Sequence, residues 1–430
     1  MENKLPYGKG FVKVEVPDNA VIFEGKKLKL LDSQAEAVRR ALANPVGSKT
    51  LSGMIRAKGK VDSVSIVVSD HTRAVPNKII LPPVLEEIIG AGIPPERITI
   101  LIASGMHRPT SRQEKTELLG EEIAGRYRVV DHDARNPEGL LKLNLKGKEF
   151  LVNRMYAEAG LKILTGLIEP HFMAGFSGGR KSICPGIAGM DTIQYFHSPA
   201  FLESPYASTG ILEKNPCHIF SSEMAQASGA DFIINVTLDK EKRITGVFAG
   251  DIVKAHAAGV EYCRKESLLY AERPFDVVVT TNGGYPLDRD LYQTVKGLVS
   301  AADIVAEGGE IICAAECVDG IGSENFRKLL FGMESLDGFI KKISAPGFFI
   351  PDQWEVEELI KVIRKAGVKI YSGGLTDEEI RKSHMTPVKD VGKAIRDSIA
   401  KYGKKASVAV IPGGPYTMVK IKGEKKCIRK

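Results

Sequence analysis

Short runs of β-branched and aliphatic residues, each closed by polar or turn residues, alternate along the chain with longer stretches of helical periodicity. The compact runs predict strands at Val64–Ser69, Ile98–Ala103, Val129–Asp131, Leu161–Leu167 and Phe232–Leu238, and a second series at Asp276–Thr280, Glu310–Ala315 and Val368–Tyr371. Pro82–Ala91 has prolines at its start and Gly90 and Gly92 at its end, so it reads as a crossover helix between the first two strands. Such alternation is the signature of a parallel sheet covered by helices. The expected fold class is therefore α/β, with two domains, each holding a largely parallel sheet flanked by helices, and an active site in the interdomain cleft. The expected division gives residues 1–268 to an N-terminal cofactor-binding and catalytic domain and 275–405 to a C-terminal substrate-binding domain, with Leu268–Pro274 as the hinge. The late strand Ser407–Pro412 can finish the second sheet or, with residues 406–430, complete the first domain; both placements stay open. Lys420–Lys430 reads as a solvated tail.

Composition narrows the function. At 430 residues and 43% hydrophobic content the chain can build a core in each domain. Its 60 basic residues are nearly matched by 53 acidic ones, so the net charge of +7 is a mild excess that favours small anions and lacks the concentrated basic face of a nucleic-acid binder. Cys184, Cys217, Cys263, Cys313, Cys317 and Cys427 form no CxxC pair and no disulfide framework, which suits a reducing compartment. Met1–Lys13 is polar and interrupted by Pro6 and Gly8, and no run of about 18 apolar residues occurs, so a cytoplasmic location without membrane contact is expected.

Reactive side chains collect just after strand ends, where open α/β sheets bind ligands. Val64–Ser69 runs into Asp70-His71-Thr72-Arg73, which can hold a phosphate or carboxylate or can be no more than a capped polar loop. Ile98–Ala103 leads to His107, and a lone histidine at such a place is more often structural than catalytic. The segment GLIEPHFMAGFSGGRKSICPGIAGMDTIQYFH, Gly166–His197, carries Glu169, His171, Gly175, Gly178, Gly179, Arg180 and Lys181 and reads as an anion cradle. It is not a P-loop, because Arg180 stands where that motif requires glycine. Lys181 beside Arg180 is a candidate covalent nucleophile, with plain phosphate pairing as its simpler role. His197 is a candidate metal ligand, yet no HExxH or paired-cysteine set completes a site, so further donors have to come from a cofactor. In the second half, Gln293 and Lys296 share a helix face beside Tyr292 and can meet one small anion, although a core tyrosine and a surface lysine would explain the pattern as well. Trp354 can wall a pocket or pack in the core.

Taken together, SDHTRAVP, ASGMHRP, EPHFMAGFSGGRKSICPGIAG, the later His197, TNGGYPLD, YQTVKG and IPDQW resemble the nickel-pincer-nucleotide-dependent lactate racemase family, in the same order from about Ser69 to Trp354. The resemblance implies a pyridinium mononucleotide whose two sulfur-containing substituents and a ring carbon grip nickel (pyridinium-3-thioamide-5-thiocarboxylic acid mononucleotide). It implies covalent attachment at Lys181, His197 as the protein's nickel ligand, and cofactor contacts from Asp70, His71, Thr72 and Arg73. His107 and His171 match the acid/base pair, and Arg73, Tyr292, Gln293, Lys296 and Trp354 match residues around the substrate. The implied reaction is racemisation of a small 2-hydroxy acid, with lactate first and malate as the alternative, in a protein matured by cofactor-synthesis proteins. The carbinol hydrogen is too weakly acidic for a histidine to remove as a proton, so hydride transfer through a 2-keto acid is the expected route. A nickel- or nucleotide-binding protein without turnover is the reading from another class, disfavoured by the presence of both His107 and His171. The sequence leaves the oligomeric state open.

Overall fold

The computed structural model describes residues 1–25, 30–403 and 405–423, and in it two six-stranded sheets organise the chain. The first has the order Ile244–Gly250, Phe232–Leu238, Leu161–Leu167, Val64–Ser69, Ile98–Ala103, Arg128–Asp131; every pair is parallel except the first. Alternation sends Ile66, Val68, Ile100 and Ile102 into a core on one face and Val67, Leu101 and Leu164 into a core on the other. Burial on both faces explains why these strands read as continuous apolar runs. The second sheet has the order Thr386–Pro387, Gly367–Tyr371, Val305–Ala314, Phe275–Thr281, Val408–Ile411, Val21–Ile22, all parallel.

One open placement is decided and three expectations change. The late strand Val408–Ile411 stands in the second sheet and not with the first domain, pairing along Phe275–Thr281. The amino-terminal segment, expected with the first domain, also lies on the second sheet. Its hairpin, Glu2–Tyr7 against Gly10–Glu15, buries Leu5 and Val14 against Val277, Val279 and Ile312, while Val21–Ile22 adds an edge strand. The crossover helix starts at Asn77, ahead of the proline pair, and runs to Gly90. Pro82 and Pro83 each delete one backbone hydrogen bond, but buried Ile80, Leu81, Val84, Leu85 and Ile88 hold the helix to the sheet. The expected hinge contains a strand, Leu268–Ala271, which pairs with Met418–Ile421; most of the expected tail, residues 424–430, lies outside the described residues. No helix among the described residues is long and apolar enough to cross a membrane.

In each sheet the strand order reverses beside a central strand: between Val64–Ser69 and Leu161–Leu167 in the first, and between Phe275–Thr281 and Val408–Ile411 in the second. Crevices form outside the carboxyl ends of strands at such reversals. Asp70–Arg73 and Glu169–His171 follow the first pair, and Asn282–Pro286 and Gly413–Tyr416 follow the second.

Candidate active site

Asp70 is buried just beyond its strand, and its carboxylate accepts from Thr72 through the hydroxyl (2.6 Å) and the amide (3.2 Å) on one oxygen. The other oxygen lies 2.6 Å from Nδ1 of His107, whose ring is exposed. Burial pushes the Asp70 carboxyl up, but the hydrogen bonds from His107 and Thr72 and the Arg73 charge outweigh it and hold it below its usual value. An ionised carboxylate can only accept, so Nδ1 of His107 carries a proton, and in the neutral ring Nε2 has the lone pair. Arg73 is 3.7 Å from Glu169, a residue of the second crevice wall. His71 is exposed and makes no described contact with the other candidates.

His171 has the opposite tautomer. Its Nδ1 accepts from the amides of Met173 and Ala174, both at 3.2 Å, so Nε2 carries the proton. Burial, then the charges of Lys181, Arg73, Lys296 and His197, hold its imidazole well below the ordinary histidine value.

The glycine-rich loop packs tightly enough to explain its composition. Gly175 adopts φ +77°, and a Cβ there would stand 2.1 Å from the carbonyl oxygen of Ile211; one at Gly178, φ +78°, would stand 2.8 Å from Oδ1 of Asn235. Lys181 is half-buried at the end of this loop, and no described carboxylate pairs with its amine. Burial, then Arg73 and Arg180, lower it well below the lysine norm, against a small opposing contribution from Cys217. His197 caps the helix Met190–Phe196 and donates from Nδ1 to the carbonyl of Ile193 at 3.0 Å, leaving Nε2 free, the usual arrangement behind a metal-bound imidazole. Burial and Lys181 bring its pKa down to about 3. Among the described residues no group of three His, Cys, Asp or Glu could hold a metal ion. A free imidazole nitrogen and an unpaired, low-pKa amine therefore fit a group that brings its own donors and is held covalently.

The second domain closes the site. Trp354, 5% exposed, stacks on His197 at 4.4 Å between ring centroids and donates from Nε1 to the Tyr292 hydroxyl at 3.2 Å. Asp290 caps the helix Leu291–Ala302, which presents Gln293 and Lys296 together: the ammonium donates to Oε1 of Gln293 at 2.5 Å. Burial and the Arg73 charge push Lys296 down to about 8, partly opposed by Glu355, Glu169 and Asp290. Arg73 of one domain and Lys296 of the other lie near enough for the charge of one to bear on the other. On the helix Gln353–Lys365, Lys361 ties the domains by donating to the carbonyl of Leu202 at 2.6 Å.

Several participants escape sequence reading. Glu169 lies inside the glycine-rich segment but has no role until Arg73 is seen beside it. Asp352 influences His107 across the cleft, Glu355 faces Lys296, and Tyr416, after the strand Val408–Ile411, faces Glu169 and Arg73. Asp352 and Glu355 flank Trp354 in a motif-like stretch; Tyr416 carries no signal. Cys313 and Cys317 are buried and unpaired in any disulfide.

Two α/β domains enclosing a cationic cleft, with two histidines of opposite tautomer, define an enzyme acting on a small anion. Comparison with known proteins makes this specific. Residues 7–210 match the family described as lactate racemase N-terminal domain, and residues 270–419 the one described as lactate racemase C-terminal domain. The lactate racemase of Thermoanaerobacterium thermosaccharolyticum is 38% identical over 97% of this chain and 99% of its own length. That of Lactiplantibacillus plantarum is 37% identical, also covering 97% and 99%. The solved lactate racemase apoprotein from T. thermosaccharolyticum superposes with a TM-score of 0.91 at 36% identity, over 98% of this chain and 100% of that one. A Thermotoga maritima protein superposes at 0.66 with 21% identity over 90% and 98%, a likeness of fold alone. The chain belongs to the lactate racemase family and is an isomerase, a racemase.

Proposed function

We propose that this protein racemises lactate, holding a nickel-pincer nucleotide through a thioamide link at Lys181 with His197 as the nickel ligand. When bound, that group supplies the acceptor and donor of the carbinol hydrogen as hydride. Arg73 and Lys296 take the substrate carboxylate from opposite domains, and Gln293 orients the Lys296 ammonium toward it. Asp70, Thr72 and His71 flank the nucleotide, while Tyr292 and Trp354 form the dry wall that excludes water. His107, with a lone pair on Nε2, takes the hydroxyl proton of one enantiomer. His171 serves the hydroxyl on the opposite face. Its Nε2 carries the ring proton, so it is the donor on that face; burial first, then the charges around it, hold the ring neutral, and the substrate carboxylate offsets those of Arg73 and Lys296.

The observation that carries this reading is the pair of histidines around one two-cation anion site. Lactate is favoured over malate because Arg108, Arg180 and Arg289, the candidates for a second carboxylate, are engaged elsewhere: Arg108 with Glu114, Arg289 with Asp319, and Arg180 with backbone carbonyls. The protein acts in the cytoplasm and depends on cofactor-synthesis proteins for loading.

The test is chiral chromatography of L- and D-lactate and of both malates, using protein from a host that makes the cofactor, with intact mass and nickel content measured alongside. We expect lactate racemisation, one nickel per chain, and a nucleotide-sized adduct lost in Lys181→Ala. Loaded protein that racemises malate faster than lactate overturns the substrate; protein without adduct in a host shown to make the cofactor overturns the anchor.

A further inference from the structure

Arg180 is 3% exposed, yet no described carboxylate pairs with it. Nη2 donates to the carbonyls of Ala174 (3.0 Å) and Phe176 (2.9 Å), and Nη1 reaches those of Ser177 (3.4 Å) and Gly178 (3.3 Å). Nη1 also lies 2.8 Å from Nε2 of His256, itself buried and 2.9 Å from the Ser177 carbonyl. Nε2 of His256 either accepts from Nη1 or donates to the Ser177 carbonyl, and in both tautomers the ring is neutral. Every partner of Arg180 is thus neutral, and its Nε is buried with none. Burial lowers the guanidinium only to about 9, so it remains a cation at neutral pH. Burying an uncompensated charge is costly, and an apolar side chain would fill the same space at less expense. The charge sits next to Lys181.

We propose that Arg180 is a positioning residue for covalent attachment at Lys181: its planar fork ties the carbonyls of residues 174–178 into a fixed cradle, and its uncancelled charge keeps the adjacent amine in its nucleophilic form. This rests on the reading of Lys181 as the attachment point. The other groups that bear on that amine are Arg73, His171 and His197 in the first domain, Lys296 from the second, and the Cys217 and Cys184 thiols, which act in the opposite sense. Arg180 differs from the other cations in belonging to the loop itself. Lysine cannot replace it fully, since an ammonium is a point charge without the fork.

The experiment uses apoprotein and the variants Arg180→Lys and Arg180→Met. Acetic anhydride acylates a neutral amine with loss of acetate and a proton, and peptide mass spectrometry across pH gives the midpoint for Lys181; amide hydrogen exchange of residues 174–178 gives the order of the loop. In Arg180→Met the midpoint is expected to rise by about one unit, the lower end for losing a nearby charge, which is about tenfold slower labelling below the midpoint. In Arg180→Lys the midpoint stays and loop exchange speeds about tenfold, the equivalent of one lost charge-assisted hydrogen bond. A folded Arg180→Met protein with the wild-type midpoint, or an Arg180→Lys protein with wild-type exchange, overturns the proposal. If Arg180→Met loses its melting transition, the Arg180→Lys exchange decides alone. These readouts need no cofactor, so a missing adduct in protein from a host shown to make the cofactor would refute the attachment reading without touching them.

Discussion

Asp70→Asn is the substitution whose effect the geometry fixes most closely. Oδ1 of Asp70 accepts two hydrogen bonds from Thr72, so an asparagine must place its carbonyl oxygen there and its NH2 group toward His107. That NH2 donates to Nδ1, which forces the His107 proton onto Nε2 and removes the lone pair that accepts the substrate proton. The lost charge-assisted bond alone is worth about 1.5–3 kcal/mol, or about 10- to 150-fold in rate. Tautomer reversal adds to it, and an equivalent Asp-to-Asn change behind a serine-protease histidine costs about 10⁴-fold. We therefore expect kcat to fall by at least about 10²-fold, with nickel and nucleotide content unchanged. Because lactate enantiomers have equal free energy, kcat/KM must fall equally from L and from D. Initial rates by chiral chromatography on fully loaded protein decide it. A loaded variant within about threefold of wild type would refute the assignment of His107 as a base set by Asp70.

The remaining expectations concern the interdomain stack and one buried acid. Trp354→Ala removes the ring on His197 and the bond to Tyr292, so nickel affinity measured by chelator competition should fall about tenfold, as for other supports behind a metal ligand, while Trp354→Phe keeps most of it; unchanged affinity in the alanine variant would dismiss the stack as packing. Glu310 receives Lys369 at 2.6 Å and Lys401 at 2.8 Å, which outweigh burial and bring its carboxyl down to about 2. Its folded pKa is below the unfolded value of about 4.3, so its contribution is present at neutral pH and is lost as pH falls through that interval. Glu310→Gln should cost about 1–2 kcal/mol at pH 7, allowing for screening, and the gap in urea midpoint should close toward pH 3; a gap that persists would contradict the ion-pair origin.

Strands buried on both faces were legible because burial leaves a continuous apolar run: Val64–Ser69, Ile98–Ala103, Leu161–Leu167 and Phe232–Leu238 have the predicted bounds. The amino-terminal hairpin was not, since its lysines and glutamates face solvent and only Leu5 and Val14 mark its buried side, with partners on a sheet formed far along the chain. In the site, residue types at strand ends were readable, but pairings were not. Asp70 with His107, Arg73 with Glu169 and Trp354 with His197 join segments that only the folded sheets bring together. The opposite tautomers of the two histidines depend on backbone amides and one carboxylate oxygen, which leave no trace in sequence.

The claim that the carbinol hydrogen leaves and returns as hydride in a closed cleft is tested most directly by racemising L-lactate in D2O with loaded protein and analysing the D-lactate formed by mass spectrometry and proton NMR. The account predicts product that keeps its original hydrogen at the carbinol carbon. Product carrying deuterium there would mean that a solvent-exchanging base removes a proton, and would contradict the mechanism.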